Sequence, residues 1–397
     1  MLNPRNPNTP SRRSLLRAAA VPAFLHLKPA TVFGSQANSA MEIGVVGCGG
    51  RGVYIGRFFQ EDASVRIVAL ADPIPSQMEA LRGELKLDSP RTYGGLNGYR
   101  ELANSKLDAV VIESPPYFHP EQADAAVDAG KHLFLAKPVA VDVPGCKNII
   151  ETGRKARGRL SAWIDFQTRM RPLYQEAVRR VQRGDIGAPV VAGVAYHNVP
   201  QIFRSNPADT PLQRRLRNWN LDRALTGEII VEQDIHMIDV ADWFLGAHPL
   251  EAAGRFGLAR AERQGDMADF FSVQYAYPNG VVADFIGTRF GSGYRDQCVR
   301  VQGALGTVDS HYMGAVNIIG ANPWKGAESD NTRLGAQTNV QKFLESIRAG
   351  RPIDNTAAAA QSNLTAILGR TAAYRKRRVT WEEMMRDGEK FEAGIQE

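Results

Sequence analysis

The chain has few cysteines, no long apolar run and almost no surplus of charge beyond its first 40 residues. Its 397 residues include Cys48, Cys146 and Cys298, a set too sparse and odd-numbered for a disulfide-stabilised scaffold. Five of the 48 basic side chains and none of the 42 acidic ones lie in residues 1–40, so the remainder is close to neutral. A near-neutral chain lacks the basic surface that binds phosphate backbones, and we expect no nucleic-acid partner.

The first 40 residues have the layout of an export signal. Arg12 and Arg13 form a twin-arginine pattern, and about ten mildly apolar residues (18–27) follow before a small-residue stretch that ends at Ala40. This segment is too short to span a bilayer, which needs about 20 residues, so we expect no stable membrane insertion. The signal predicts a periplasmic or secreted protein. The alternative interpretation is a disordered basic tail.

A glycine-rich loop follows the first apolar run. Residues 43–46 suit a buried parallel strand, and residues 53–59 have helical character. In such a loop one glycine permits a tight turn, a second lets the backbone approach a pyrophosphate, and a third allows close packing of helix on strand. The helix N-terminus adds free N–H donors for phosphates. The residues expected to hold a dinucleotide here are Gly47, Gly49, Gly50, Arg51 and Gly52.

An acidic residue lies where a dinucleotide-binding unit needs one. Residues 65–71 form a second apolar run that ends at Asp72, 20 residues beyond Gly52. A carboxylate at this place accepts hydrogen bonds from the adenosine ribose and repels a 2′-phosphate. The expected cofactor is therefore NAD and not NADP. The alternative is that Asp72 only begins a turn before Pro73.

The alternation of strand and helix continues through residue 163. The strand 109–112 is followed by Ser114 and Pro115, and His119 opens a helix. The next strand, 132–136, delivers Lys137 at its carboxyl end, where ligands of open parallel sheets bind. A solvated turn is the alternative for Lys137. The pattern predicts an α/β fold with a doubly wound, parallel Rossmann sheet over residues 41–163.

From residue 164 to the end the pattern predicts a second, α+β domain. After a helix over 173–183 the apolar period becomes two, which predicts a large and mostly antiparallel sheet with one open face. We expect this face to meet a partner subunit, giving a homo-oligomer. The expected strands are 190–196, 250–256, 270–277, 281–286, 297–302 and 307–310.

Most of the reactive side chains of the second domain fall in one short segment, residues 228–239. On a continuous helix Glu232 and His236 share a face, since they are four residues apart. A carboxylate beside an imidazole fixes its tautomer and raises its basicity, as a general base near neutral pH requires. Two alternatives are a histidine satisfied by packing and a metal site. No ligand pattern in the sequence demands a metal, and we expect none.

Together these segments resemble the Gfo/Idh/MocA family, named for glucose-fructose oxidoreductase and inositol dehydrogenase. The resemblance covers residues 41–390 and depends on the glycine loop, the segment 114–119, the Lys137-Pro138 pair and the segment 227–239. The sequence departs from the family pattern at two positions. Ala136 replaces the usual glutamate before the lysine, and Glu232 stands where the family usually has aspartate, so Asp234 is a second candidate for that role.

The resemblance implies NAD-dependent dehydrogenation of a hydroxyl on a sugar, polyol or glycoside. His236 then removes the hydroxyl proton, Glu232 or Asp234 orients its imidazole, and Lys137 bonds the reacting oxygen. Ser114, Pro115 and His119 are implied to lie beside the nicotinamide. Weaker candidates for substrate contact are Arg169, Tyr196, His197, Trp219 and Asp239.

Export restricts the chemistry, because no soluble NAD pool is expected outside the cytoplasm. The cofactor must then be tightly bound and regenerated within each cycle. Oxidation of one sugar with reduction of a second satisfies this condition. So does redox-neutral glycoside hydrolysis by oxidation, elimination, hydration and reduction, for which Tyr196, His197 or Glu228 would supply the further acid/base group. A third hypothesis is a non-catalytic, NAD-bound sugar sensor, which has no need of Lys137 and His236.

Overall fold

The computed structural model describes residues 40–291, 294–326 and 332–395. The predicted export signal lies outside these ranges except for Ala40. Within them, every helix is too short or too polar to cross a membrane.

Residues 41–165 form the predicted parallel sheet. Six strands pair in the order β3-β2-β1-β4-β5-β6, and every pair is parallel. The inner strands are apolar and buried, as helices on both faces of a sheet require. The strands are β1 (Met41–Val46), β2 (Val65–Ala71), β3 (Arg91–Tyr93), β4 (Ala109–Ile112), β5 (His132–Ala136) and β6 (Ala162–Asp165). The helices between them are α1 (Gly50–Gln60), α2 (Pro75–Glu84), α3 (Gly98–Asn104), α4 (His119–Asp128) and α5 (Val143–Ala156).

The second sheet has nine strands among the described residues, in the order β14-β13-β12-β11-β7-β10-β9-β8-β15. All its pairs are antiparallel except β7 with β10, which is parallel. The predicted fold class is thus confirmed, with one parallel pair added. The strands are β7 (Pro189–His197), β8 (Glu251–Gly257), β9 (Phe270–Ala276), β10 (Val282–Thr288), β11 (Asp296–Gly303), β12 (Gly306–His311), β13 (Val316–Gly320), β14 (Trp324–Lys325) and β15 (Val379–Thr380).

Helices cover one face of this sheet and leave the other open. Along β10 the exposure alternates: Ala283 and Phe285 are buried, and the residues that follow each of them, Asp284 and Ile286, are exposed. We call the exposed side the open face. The remaining helices are α6 (Pro172–Gln182), α7 (Pro211–Arg217), α8 (Arg223–Thr226), α9 (Ile229–Glu232), α10 (Ile235–Leu245), α11 (Thr332–Arg348), α12 (Thr356–Arg375) and α13 (Trp381–Asp387).

Two late helices join the second sheet to the first. Phe343 of α11 packs edge-on against Phe59 and Phe134 of the parallel sheet layer. Arg370 of α12 is almost fully buried and donates hydrogen bonds to the carbonyls of Val141 (2.6 Å) and Gly227 (2.9 Å). The loop that carries Lys137 and the segment that carries His236 are therefore anchored to the same helix.

Candidate active site at the carboxyl ends of the parallel strands

The glycine loop is closed so tightly that side chains are excluded at two of its positions. Gly47 has a φ of +86°, and a Cβ there would lie 2.5 Å from the backbone nitrogen of Ser114. A Cβ on Gly52 would lie 2.2 Å from the carbonyl oxygen of Gly47. Gly52 thus permits the close contact of α1 with the strand end. Free N–H groups at the start of α1 are left for phosphate oxygens.

A crevice runs along this loop and is lined from both halves of the chain. The predicted cofactor residues that line it are Gly47, Gly49, Gly50, Asp72, Ser114 and Pro115. Its opposite wall comes from residues 204–219, through Arg204, Leu216, Arg217 and Trp219. Trp219, a weak candidate for substrate contact, therefore faces the cofactor crevice.

Asp72 lies at one end of the crevice and is buried. Its carboxylate accepts hydrogen bonds of 2.8 Å from the backbone nitrogens of Cys48 and Ile74. Burial raises its pKa to about 6, although these bonds and Arg217 oppose the shift. A carboxylate has about four lone-pair sites, so each oxygen can still accept a bond from a ribose hydroxyl.

Arg51 turns away from the phosphate side of the loop. Its guanidinium bonds Asp165 and lies 3.5 Å from the side-chain oxygen of Gln167. Its Nε lies 3.6 Å from a carboxylate oxygen of Glu113. Arg51 is thus the cation of a partly buried carboxylate cluster beneath the crevice.

Lys137 follows β5 and is held by the other half of the chain. Its Nζ donates to the carbonyl oxygen of Glu232 (2.5 Å) and lies 3.5 Å from the carboxylate oxygen Oε1 of the same residue. Burial lowers its pKa, while Glu232 opposes the change. An ammonium group has three donors, so one remains for a ligand oxygen.

His236 lies between two tyrosines, and its imidazole makes no hydrogen bond to any described residue. Its ring stacks with Tyr196 at a centroid distance of 6.4 Å, and the tilted ring of Tyr312 lies 5.0 Å away. Nδ1 is buried without a partner. Burial, with Lys137 and Arg51 nearby, lowers the pKa of His236 well below its ordinary value. The imidazole is therefore neutral near pH 7, and its basicity is lowered, not raised as expected beside a carboxylate.

The expected carboxylate partner of His236 is absent from the described residues. The helix is not continuous: α9 ends at Glu232, α10 begins at Ile235, and the four-residue spacing loses its meaning across the break. The carboxylate of Glu232 lies 3.5 Å from Nζ of Lys137 instead. Asp234 is fully buried against β10, where a Cβ on Gly287 would lie 2.2 Å from its Oδ2, and burial raises its pKa well above its ordinary value. Neither carboxylate orients the imidazole in this structure.

Three further candidates are bonded within the fold. Asp239 is fully buried and bonds Arg169 through both carboxylate oxygens, at 2.7 to 3.1 Å, while Ser362 donates to it at 2.7 Å. Glu228 accepts hydrogen bonds from Tyr374 (2.5 Å) and from backbone nitrogens. The structure thus gives Arg169, Asp239 and Glu228 packing roles.

Two predicted histidines also lie away from the crevice surface. His119 is almost fully buried, and its ring nitrogens lie 2.8 Å from the carbonyl oxygens of Ser114 and Pro138, so it fixes the backbone behind the crevice. His197 follows Tyr196 on β7, and alternation along a strand places it on the open face, where Nδ1 lies 2.9 Å from Thr288. Of the neighbouring residues Tyr196 and His197, only Tyr196 faces His236.

Two residues of the site were not predicted from the sequence. Tyr312 accepts a hydrogen bond of 2.5 Å from Gln167 and brings its ring to His236 from the end of β12. Glu113 directly follows β4 and lines the crevice. A polar residue after a buried parallel strand is the signal that identified Asp72, and it applies equally to Glu113.

One group among the described residues has the spacing of metal ligands: Asp296, Cys298 and His311, on the open face. The guanidinium of Arg300 lies 3.2 Å from the Cys298 sulfur and 3.3 Å from Nε2 of His311. Arg300 thus already places a positive charge beside these three side chains.

Comparison with known proteins identifies the family. Residues 41–163 match the family profile described as "Oxidoreductase family, NAD-binding Rossmann fold", and residues 174–309 match the GFO/IDH/MocA C-terminal domain. An inositol 2-dehydrogenase from Klebsiella pneumoniae (strain 342) is 25% identical over 327 residues, which is 79% of this chain and 87% of the relative.

Solved structures agree on the fold. An oxidoreductase domain protein from Kribbella flavida superposes with a TM-score of 0.74 at 18% identity, covering 86% of this chain and 99% of that one. An oxidoreductase from Agrobacterium radiobacter, solved with NAD⁺, L-tartaric acid and magnesium, gives a TM-score of 0.70 at 16% identity over 87% of this chain and 100% of that one. The chain belongs to the Gfo/Idh/MocA family of oxidoreductases and binds NAD through its Rossmann fold.

Proposed function

We propose that the protein oxidises a hydroxyl group of a sugar, polyol or glycoside, with His236 as the base. The observation that carries this proposal is an imidazole with a buried, unbonded Nδ1 near the ammonium group of Lys137, which follows the strand next to β4 at the sheet edge where the crevice lies. The similarity to inositol 2-dehydrogenases supports the substrate class. A positioned general base contributes about 10²- to 10⁴-fold to such a reaction.

His236 and Lys137 have separate roles, one for the proton and one for the negative charge. His236 takes the hydroxyl proton, and its low pKa keeps it unprotonated before the reaction. The free donor of Lys137 bonds the substrate oxygen and stabilises the negative charge that develops there. Glu232 acts through Lys137, whose ammonium it holds from two sides. NAD, when bound, supplies the hydride acceptor.

The export signal and tight binding of NAD form part of the same proposal. Helix α7 covers the adenosine side of the crevice and is fastened by Arg215, which donates to the carbonyl of Ala393 (2.7 Å). Leu216 of α7 packs with Ile74 and Phe118. A wall fixed in this way opposes release of the cofactor and supports a closed cycle in the periplasm or outside the cell.

The open face of the nine-stranded sheet is the proposed contact with a second copy of the chain. It exposes Ile286 among polar residues in the middle of a broad sheet. A monomer in light scattering at micromolar concentration would contradict this assignment.

The test combines cofactor content with turnover. Protein purified without added NAD is denatured, and the supernatant is assayed for NAD(H); a yield near one per chain supports the closed cycle. A panel of sugars, polyols and aryl glycosides then identifies the chemistry. Hydrolysis without net reduction of NAD would indicate the redox-neutral glycosidase, and inertness despite bound NAD would indicate a sensor.

Paired histidine variants test the base. His236→Ala is expected to keep NAD and lose turnover by about 10²-fold or more. His197→Ala, on the open face, is expected to retain turnover. Unchanged turnover in His236→Ala would refute the assignment.

A further inference from the structure

Glu113 is a buried carboxylate without a hydrogen-bond partner. Its side chain has 0% relative exposure, and neither of its oxygens is bonded to any described residue. The nearest cation is Arg51, whose Nε lies 3.6 Å away, too far for a strong hydrogen bond. A buried polar group left unbonded is destabilising, and more so when charged, so such groups in native structures require an explanation.

The surrounding cations do not supply that explanation. Arg51 is committed to Asp165 and Gln167, and Lys137 is committed to Glu232. The cluster therefore contains two cations, Arg51 and Lys137, and the carboxylates of Asp165, Glu232 and Glu113. Among these three carboxylates, that of Glu113 has no hydrogen-bond donor among the described residues. Burial accordingly raises the pKa of Glu113 well above its ordinary value.

The sheet order shows what lies in front of Glu113. Adjacent strands β2, β1, β4 and β5 end at Asp72, the glycine loop, Glu113 and Lys137 in that order. NAD has a matching order of parts: adenosine ribose, pyrophosphate, second ribose and nicotinamide. With the first ribose at Asp72 and the pyrophosphate at the glycines, Glu113 faces the second ribose.

We propose that Glu113 accepts hydrogen bonds from the hydroxyls of the ribose that carries the nicotinamide, as Asp72 accepts them from the adenosine ribose. Glu113 belongs to the wall of the same crevice as Asp72 and Gly49, and its carboxylate is buried within that wall. The ribose supplies two O–H donors, which is what two unbonded oxygens lack. This proposal depends on NAD binding in the crevice and is independent of the role of His236.

Three nucleotides locate the contact on the ligand. Binding of NAD, ADP-ribose and ADP to nucleotide-free protein is measured by calorimetry for the wild type and Glu113→Gln. The first two ligands contain the second ribose and ADP lacks it. We expect Glu113→Gln to weaken NAD and ADP-ribose about 10- to 100-fold, because an amide replaces one of the two oxygens that accept from the ribose hydroxyls, and to leave ADP unchanged.

The other outcomes each overturn the proposal. Unchanged binding of all three nucleotides excludes a ligand contact, and weaker binding of NAD alone places the contact on the nicotinamide. Equal weakening of all three, with a lower unfolding temperature of the empty protein, indicates a structural role. We expect that temperature to stay unchanged, because Glu113→Gln keeps the size of a buried side chain that bonds no described residue.

Matched controls separate this proposal from the proposed reaction. Glu79→Gln removes an exposed carboxylate of α2 that pairs with Arg82, and it should change no affinity. His236→Ala should bind all three nucleotides as the wild type does. Unchanged turnover in His236→Ala, with the expected ligand pattern in Glu113→Gln, would count against His236 and leave Glu113 assigned.

Discussion

Two buried polar clusters meet helix α10, and they differ in how completely their hydrogen bonds are formed. Around Asp239, the carboxylate, Arg169 and Ser362 use one another's donors and acceptors. Three residues earlier, the imidazole of His236 has no hydrogen bond to a described residue, and the carboxylate of Glu113 also has none. The same helix thus contains a complete cluster and an incomplete one.

The contrast separates support from chemistry. A complete buried cluster stabilises the fold and has nothing left to offer a ligand. An incomplete one is costly until a ligand completes it, and such groups concentrate at functional sites. Asp72 is an intermediate case, because its carboxylate accepts two backbone hydrogen bonds and retains lone pairs for a ribose.

The largest expected effect comes from breaking the complete cluster. Asp239→Asn leaves Arg169 without its charge partner and is expected to lower the free energy of unfolding by about 3–5 kcal/mol. The turnover of the folded fraction should stay within about twofold. Urea denaturation measures the first quantity and active-site-normalised kinetics the second. The exposed pair Arg154–Glu151 provides the control, since Glu151→Gln should cost less than about 1 kcal/mol. A stable Asp239→Asn with impaired turnover would reverse the contrast.

Removal of the central cation of the incomplete cluster is expected to affect rate instead. Lys137→Ala deletes the donor for the developing negative charge and should lower kcat about 10²- to 10³-fold. Its unfolding temperature should fall less than that of Asp239→Asn, because the pair that Lys137 forms with Glu232 is long, at 3.5 Å, and both side chains are partly exposed. The measurements are kcat with the best sugar of the panel and the NAD content of the purified variant. A loss of less than tenfold would exclude Lys137 from the reaction.

The parts of the site near the glycine loop were predictable because they depend on short stretches of chain. A strand, a glycine loop and an acid after the next strand define the adenosine end, and the structure has them at Gly47 and Asp72. Lys137 follows from the same rule, since strand β5 delivers it to the ligand edge. Period-two alternation along β7 also distinguishes the buried Tyr196 from His197 on the open face.

The parts that failed depend on contacts between distant residues. The interruption between Glu232 and Ile235 cannot be read from helical spacing, and Lys137, 95 residues away, takes the carboxylate expected beside His236. Arg51 appears in the loop pattern as a phosphate neighbour, but Asp165 draws its guanidinium inward. Tertiary charge pairing overrides local pattern in both cases.

A smaller effect is expected from packing at the glycine loop. Gly52→Ala places a Cβ 2.2 Å from a backbone oxygen that cannot move without the strand end, and we expect a loss of about 1–3 kcal/mol in unfolding free energy. Gly50→Ala is the matched control, because no atom lies within 4 Å of its added Cβ and alanine favours the helix. Thermal denaturation of the nucleotide-free proteins compares them. Equal stability of the two variants would remove the argument for close packing at Gly52.

The smallest effect concerns Asp72, whose pKa of about 6 places its titration within a convenient pH range. Ribose hydroxyls bond the ionised carboxylate, so NAD affinity should fall as pH decreases below 6, by at most about tenfold per pH unit. Unliganded stability should change in the opposite direction. A folded-state pKa above the unfolded value stabilises the protein at low pH, and this contribution disappears as pH rises through about 6. The rise in unfolding temperature on adding NAD should therefore be larger at pH 7.5 than at pH 5, and Asp72→Asn should flatten both trends. A pH dependence that persists in Asp72→Asn would assign the titration to another group of the crevice, and Asp72 would then belong with the fully bonded, structural carboxylates.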